Sequence, residues 1–176
     1  MSANRKQGGA WALPRALTCA VLAAVFAVAA HAQDTKKQAE DLMRQGQQQM
    51  SKGQPRDAVR TLGKAIEIDP TMPELYMLRS RARDSSGMFE AALDDASKYI
   101  ELEPKDEYGY LNRARIYLSL EKPEKALDDA NKAIELKPDE PDGYYRRADV
   151  YSAMNKDAEA KADEKKGDEL DAKARH

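Results

Sequence analysis

Pro70, Pro104 and Pro138 stand 34 residues apart, and each closes a near-copy of one phrase: AIEIDP, YIELEP and AIELKP. A fixed period of this size marks a stack of units, each too small to bury its own apolar face. The frame reaches well beyond the prolines. Alanine recurs at Ala58, Ala92, Ala126 and Ala160, isoleucine at Ile66, Ile100 and Ile134, and tyrosine at Tyr76, Tyr110 and Tyr144, where the first unit has Leu42. Tyr117 and Tyr151 form a second pair at the same interval. Four units follow, at 39–72, 73–106, 107–140 and 141–174. Function then belongs on the surface that the stacked units create, and a single catalytic pocket is not expected.

Within a unit the apolar spacing is helical. Tyr110, Ala114, Tyr117 and Leu118 share one side of a helix over about 107–120, and Leu127, Ala130, Ala133 and Ile134 do the same over about 123–136. Pro73 and Pro141 open units and Pro55 and Pro123 open second helices, places where a missing N–H costs nothing. Gly53, Gly87, Glu121 and Asn155 share the position between the two helices. Gly and Asn tolerate the left-handed conformation that ends a helix, and Glu121 is the weak copy. The predicted fold is all-α: a right-handed solenoid of four antiparallel helix pairs.

The N-terminus reads as a secretory signal over 1–32. Arg5, Lys6 and Arg15 supply positive charge, Ala16 to Ala30 is uncharged and mostly apolar, and Ala30-His31-Ala32 has the small-x-small form of a cleavage site. The apolar run is short for a membrane span of about 20 residues, so no stable span is expected after cleavage between Ala32 and Gln33. A retained anchor helix is the alternative, and lipidation at Cys19 is disfavoured because the apolar run follows it. Residues 33–38 read as a loose polar leader. The location is then periplasmic or secreted.

Removing that segment takes three basic residues from 29 and leaves 26 against 31 acidic, a formal charge of −5. No basic stripe points to nucleic acid. The remainder has no cysteine and one histidine, the terminal His176. Cysteine nucleophiles, Cys/His zinc sites and internal Ser-His-Asp triads are thereby excluded. No cofactor, metal or enzymatic activity is expected.

These residues closely resemble the tetratricopeptide repeat. The family pattern has an aromatic residue or Leu at position 4, Gly or Ala at 8, Tyr at 11, Ala at 20, a bulky residue at 24, Ala at 27 and Pro at 32. The third unit supplies Tyr110, Ala114, Tyr117, Ala126, Ala130, Ala133 and Pro138, and the first supplies Leu42, Gly46, Ala58, Leu62, Ala65 and Pro70. In the second, Ala96 and Tyr99 exchange the large and small positions, which roughly conserves volume. The fourth keeps Tyr144, Ala148, Tyr151 and Ala160, then departs at Glu164, Gly167 and Ala172, as a polar capping helix would.

The resemblance implies a concave groove lined by the first helices. On it, Met77, Arg81, Tyr108, Leu111, Asn112, Arg115, Tyr145 and Arg146 form the expected peptide-binding patch. The family also includes a carboxylate clamp, a five-residue set. Asn112 and Arg146 match two of its members, but Arg81 stands for an Asn, and Met77 and Asp142 stand for lysines, so a working clamp is not expected. The implied function is a non-catalytic scaffold or adaptor that holds a protein or peptide segment. The alternative is a structural subunit of a larger cell-envelope assembly.

One further pattern concerns stability. Arg79, Arg113 and Arg147 share the seventh position, and Asp95, Asp129 and Asp163 the twenty-third. In the first unit both are lost together, as Gln45 and Thr61. Joint presence and joint loss predict a ladder of ion pairs, each contributing about 0.2–1 kcal/mol if partly exposed.

Overall fold

Each unit of the frame folds as a helix pair around a tight break. The computed structural model describes residues 15–175, and side-chain surroundings from Gln33 onward. Among them are eight helices and no strand: α1 (Arg15–Ser51), α2 (Pro55–Ile68), α3 (Pro73–Ser85), α4 (Phe89–Leu102), α5 (Glu107–Ser119), α6 (Pro123–Leu136), α7 (Pro141–Ala153) and α8 (Asp157–Ala174). The signal residues Arg5 and Lys6, the side chains of the apolar run and His176 lie outside the described residues.

Proline opens α2, α3, α6 and α7 as the sequence predicts. Asp106 caps α5, its side chain accepting from the Tyr108 N–H at 3.1 Å. The four break positions all adopt positive φ: 72° at Gly53, 75° at Gly87, 55° at Glu121 and 59° at Asn155. Glu121 therefore holds a conformation that costs a residue with a Cβ about 1–2 kcal/mol.

One expectation fails. Residues 33–38 are helical, and α1 runs through them without a break. The stretch Gln33-Asp34-Thr35-Lys36-Lys37-Gln38 has no Gly or Pro, and its Gln and Lys residues are good helix formers, so nothing in it stops a helix. Polarity alone marks exposure, not disorder.

The first helices of the units touch one another in the order α1, α3, α5, α7, whereas the second helices touch only first helices. The row in mutual contact lies on the tighter radius and forms the concave side. Apolar packing is unevenly shared along the stack. The largest cluster joins units one and two, with Ala58, Leu62, Ala65, Leu75 and Ala82 buried and Leu42, Met43, Val59 and Leu78 packed around them. The clusters in later units rest mainly on alanines with Ile116 or Val150. The size exchange in unit two also reaches a neighbour. Tyr99 lies against Gly109 of α5, where a Cβ would come within 2.8 Å of the ring.

The ion-pair ladder is present in full. Arg79 donates to Asp95 from Nε and Nη2 at 2.8 and 2.7 Å, Arg113 to Asp129 at 2.8 and 2.8 Å, and Arg147 to Asp163 at 2.7 and 2.8 Å. The three acids are buried and each pair is bidentate, so these are stronger contacts than the partly exposed pairs considered from sequence. The hydrogen bond to Asp129 raises the Arg113 pKa, and the one to Asp163 raises that of Arg147. Two rungs reach back one unit: Arg113 to Ser97 Oγ at 3.3 Å and Arg147 to Asn131 Oδ1 at 2.9 Å. At the equivalent place Arg79 meets Gly63, which offers no side-chain acceptor. A second periodic contact closes the turns between units. The hydroxyls of Tyr76, Tyr110 and Tyr144 donate to the carbonyls of Pro70, Pro104 and Pro138 at 3.0, 3.1 and 3.1 Å.

Candidate functional site

The concave side holds a groove of about 530 Å³ lined by Met50, Arg81, Ser85, Tyr108, Leu111, Asn112, Arg115, Asp142, Tyr145, Arg146 and Asp149. Seven of the eight residues assigned to it from sequence line it together. Arg81, Tyr108, Leu111, Arg115 and Tyr145 come from the inward stripe of α3, α5 or α7, where three- and four-residue steps stay on one helical face, and Asn112 and Arg146 sit one position beside it.

Met77 is the exception. It is buried in a cluster with Tyr76 and Tyr99 and does not line the groove. The cause is the size exchange at Tyr99, which puts a large ring where the pattern has a small residue. That ring then packs with Met77, which the sequence reading left open to a ligand.

The polar residues differ in how free they are. Asn112 is buried, donates to Ser80 Oγ at 2.8 Å and accepts from Arg115 Nη2 at 3.2 Å. Ser80 in turn donates to the Ala92 carbonyl at 2.9 Å. Asn112 is thus the floor of the groove, tying α5 to α3 and, through Ser80, to α4. Arg115 pairs with the buried Asp84 of α3. Arg146 donates to Asp149 at 2.8 Å, while its buried Nε has no hydrogen-bond partner. Burial lowers the Arg146 pKa, Asp149 opposes that, and the Arg115 charge adds to it. Arg81 is exposed and has no ion pair or hydrogen bond among the described residues.

Tyr145 is held from the last helix. Its hydroxyl lies 3.0 Å from Asp168 and 2.9 Å from Asp171, and its ring sits against Gly167. Burial, followed by these two carboxylates, raises its pKa. The sequence reading missed this contact. The signal was Gly167 itself, read there only as a departure from the family pattern. Tyr108 is the opposite case, 48% exposed with its ring open to the groove.

Residues 108–140 and 141–173 match family models described as the tetratricopeptide repeat. Over these two stretches the chain has the pattern of the tetratricopeptide repeat. The two matched stretches hold Tyr108, Leu111, Asn112, Arg115, Tyr145 and Arg146. The second spans the polar α8, which docks through Asp163 like its counterparts. No curated protein matches the sequence. Among solved structures, the crystal structure of MamA is 27% identical over 78% of this chain and 81% of its own, with a TM-score of 0.70. A thermophilic tetratricopeptide-repeat protein of Thermus thermophilus, TTC0263, is 21% identical over 75% of this chain and 74% of its own, with a TM-score of 0.69. The first tetratricopeptide domain of Spaghetti (RPAP3), bound to the HSP90 peptide SRMEEVD, is 22% identical over 68% of this chain and 95% of its own, with a TM-score of 0.64. The last two likenesses show the fold. Tetratricopeptide repeats generally mediate protein–protein contacts and are generally non-catalytic. Among the described residues no helix is long and apolar enough to cross a membrane.

Proposed function

We propose that this protein is a non-catalytic interaction module that holds an extended or helical segment of another protein in its concave groove, and that it works after export, in the periplasm or outside the cell. The observation that carries the groove reading is the exposed Tyr108 ring beside the buried Leu111 and the unpaired Arg81. An open aromatic next to a free cation on a formed concave face suits peptide contact, because Tyr supplies contact area with little loss of side-chain freedom. The same fold holds a peptide in the RPAP3 domain. That peptide is acidic, whereas Asp142 and Asp149 line the groove here, so the ligand differs. Export rests on the charged, apolar and small-x-small succession before Gln33.

The groove is modest in volume and its Arg115 and Arg146 are already paired, so the affinity is micromolar rather than nanomolar. A crosslinking pull-down from the envelope fraction tests the reading. Arg81→Glu combined with Tyr108→Ala abolishes capture while leaving the helical CD spectrum and melting temperature unchanged. Undiminished capture moves the interaction off the groove. A partner retained in fixed stoichiometry whatever the groove residues are supports instead a structural subunit of an envelope assembly.

A further inference from the structure

The tyrosines of this chain differ in what holds them. Five of the eight carry a cation over the ring at 5.7–6.0 Å from the centroid: Tyr76, Tyr110, Tyr117, Tyr144 and Tyr151, each under an Arg and two of them also near a Lys. Two more, Tyr99 and Tyr145, are held by aspartates through their hydroxyls. Tyr108 has neither kind of contact among the described residues, and it is the most exposed of the large apolar side chains.

Its surroundings are acidic. The charge of Asp142 is the main cause of a raised pKa at the Tyr108 hydroxyl, followed by burial and by the charges of Glu107, Glu140 and Asp106. A ring face with a negative quadrupole inside a field of carboxylates is a seat for a cation. Asp142 itself lines the groove beside Tyr108 and makes no ion pair or hydrogen bond among the described residues. Elsewhere the groove's charges cancel internally, Arg115 against Asp84 and Arg146 against Asp149. Arg146, four residues on, also feels the Asp142 charge, but its hydrogen bond goes to Asp149, so the groove carboxylate with no bonded partner is the one at the Tyr108 edge, while the unpaired cation, Arg81, stands in the C-terminal half of α3.

We infer that the segment held in the groove presents a lysine or arginine that stacks on Tyr108 and pairs with Asp142. This rests on the groove reading above and names the chemistry of its ligand. The preference is opposite in sign to that of a site that grips a carboxylate.

The test uses the immobilised full chain and a pool of short synthetic peptides of equal residue frequency, with the captured fraction sequenced by mass spectrometry. Lys and Arg are enriched about fivefold in that fraction. Tyr108→Leu, which keeps apolar area and removes the ring, reduces the enrichment. Asp142→Lys fills the seat from within and turns the preference toward acidic peptides. Glu124→Lys, the same charge change on an exposed residue of α6, leaves the enrichment as it was. Capture that depends on Arg81 and Leu111 but shows no basic enrichment, or is indifferent to Asp142→Lys, overturns this inference and leaves the groove standing. An enrichment that falls as far with Glu124→Lys as with Asp142→Lys overturns it too, because net charge then accounts for the effect. No capture, or capture insensitive to every groove substitution, overturns both.

Discussion

Two sets of arginines run along this solenoid. Arg79, Arg113 and Arg147 recur every 34 residues, and each is closed in a bidentate pair with a buried aspartate of its own unit. Arg81, Arg115 and Arg146 face the groove, and no two are bound alike: the first is unpaired, the second reaches back to Asp84 on α3, and the third pairs along its own helix with Asp149. The periodic set answers a demand that every unit shares, the joining of its two helices. Arg81 and Arg115 share a repeat position too, yet the groove set has no common partner and answers to whatever lies across the groove. In a repeat chain, the residues whose contacts change from unit to unit are therefore the better guide to what it binds.

That division can be broken by experiment. The largest effect is expected from Asp129→Ala, which leaves the half-buried Arg113 guanidinium without its carboxylate partner and lowers stability by about 2–4 kcal/mol in urea unfolding. A double-mutant cycle with Arg113→Ala gives a coupling of about 1–3 kcal/mol, and folded protein keeps its capture. Next comes Gly167→Ala, whose Cβ would lie 2.5 Å from the Tyr145 ring. It lowers the melting temperature, at a cost of about 1–3 kcal/mol, and also weakens capture, because Tyr145 belongs to both faces. Glu121→Gly relieves the positive φ at the third break and gains about 0.5–1 kcal/mol, since the flexibility it adds to the unfolded chain offsets part of the relief. Tyr108→Ala changes stability by less than about 0.5 kcal/mol and lowers capture sharply. A loss of stability at Tyr108 as large as that at Asp129 would erase the distinction between the two faces.

The fold was legible because its signals are local and repeated. A 34-residue period, a left-handed residue at each break and an Arg–Asp pair that is lost jointly as Gln45 and Thr61 can all be read from one chain. Most of the groove was legible for the same reason, since positions on an inward stripe stay inward. What could not be read were contacts set by a departure from the repeat. The Tyr99 ring buries Met77 only because a large residue took a small residue's place. The anchoring of Tyr145 by Asp168 and Asp171 depends on α8 closing over α7 at Gly167. The pairing of Arg115 with Asp84 spans two units and has no counterpart from which to infer it. The helical state of 33–38 was missed because polarity was taken for disorder.

The uneven core gives the molecule a temperature axis along its length. The junction of units one and two has no complete rung before Arg79 and relies on the apolar cluster around Leu62 and Leu75, whereas later units combine alanine packing with buried ion pairs. Apolar stabilisation grows on warming only to a plateau, while the penalty for desolvating charge keeps easing. The two ends of one continuous stack therefore respond to temperature with different slopes. As the sample is warmed, amides of α2 should come to exchange with solvent before those of α6, and the gap should widen.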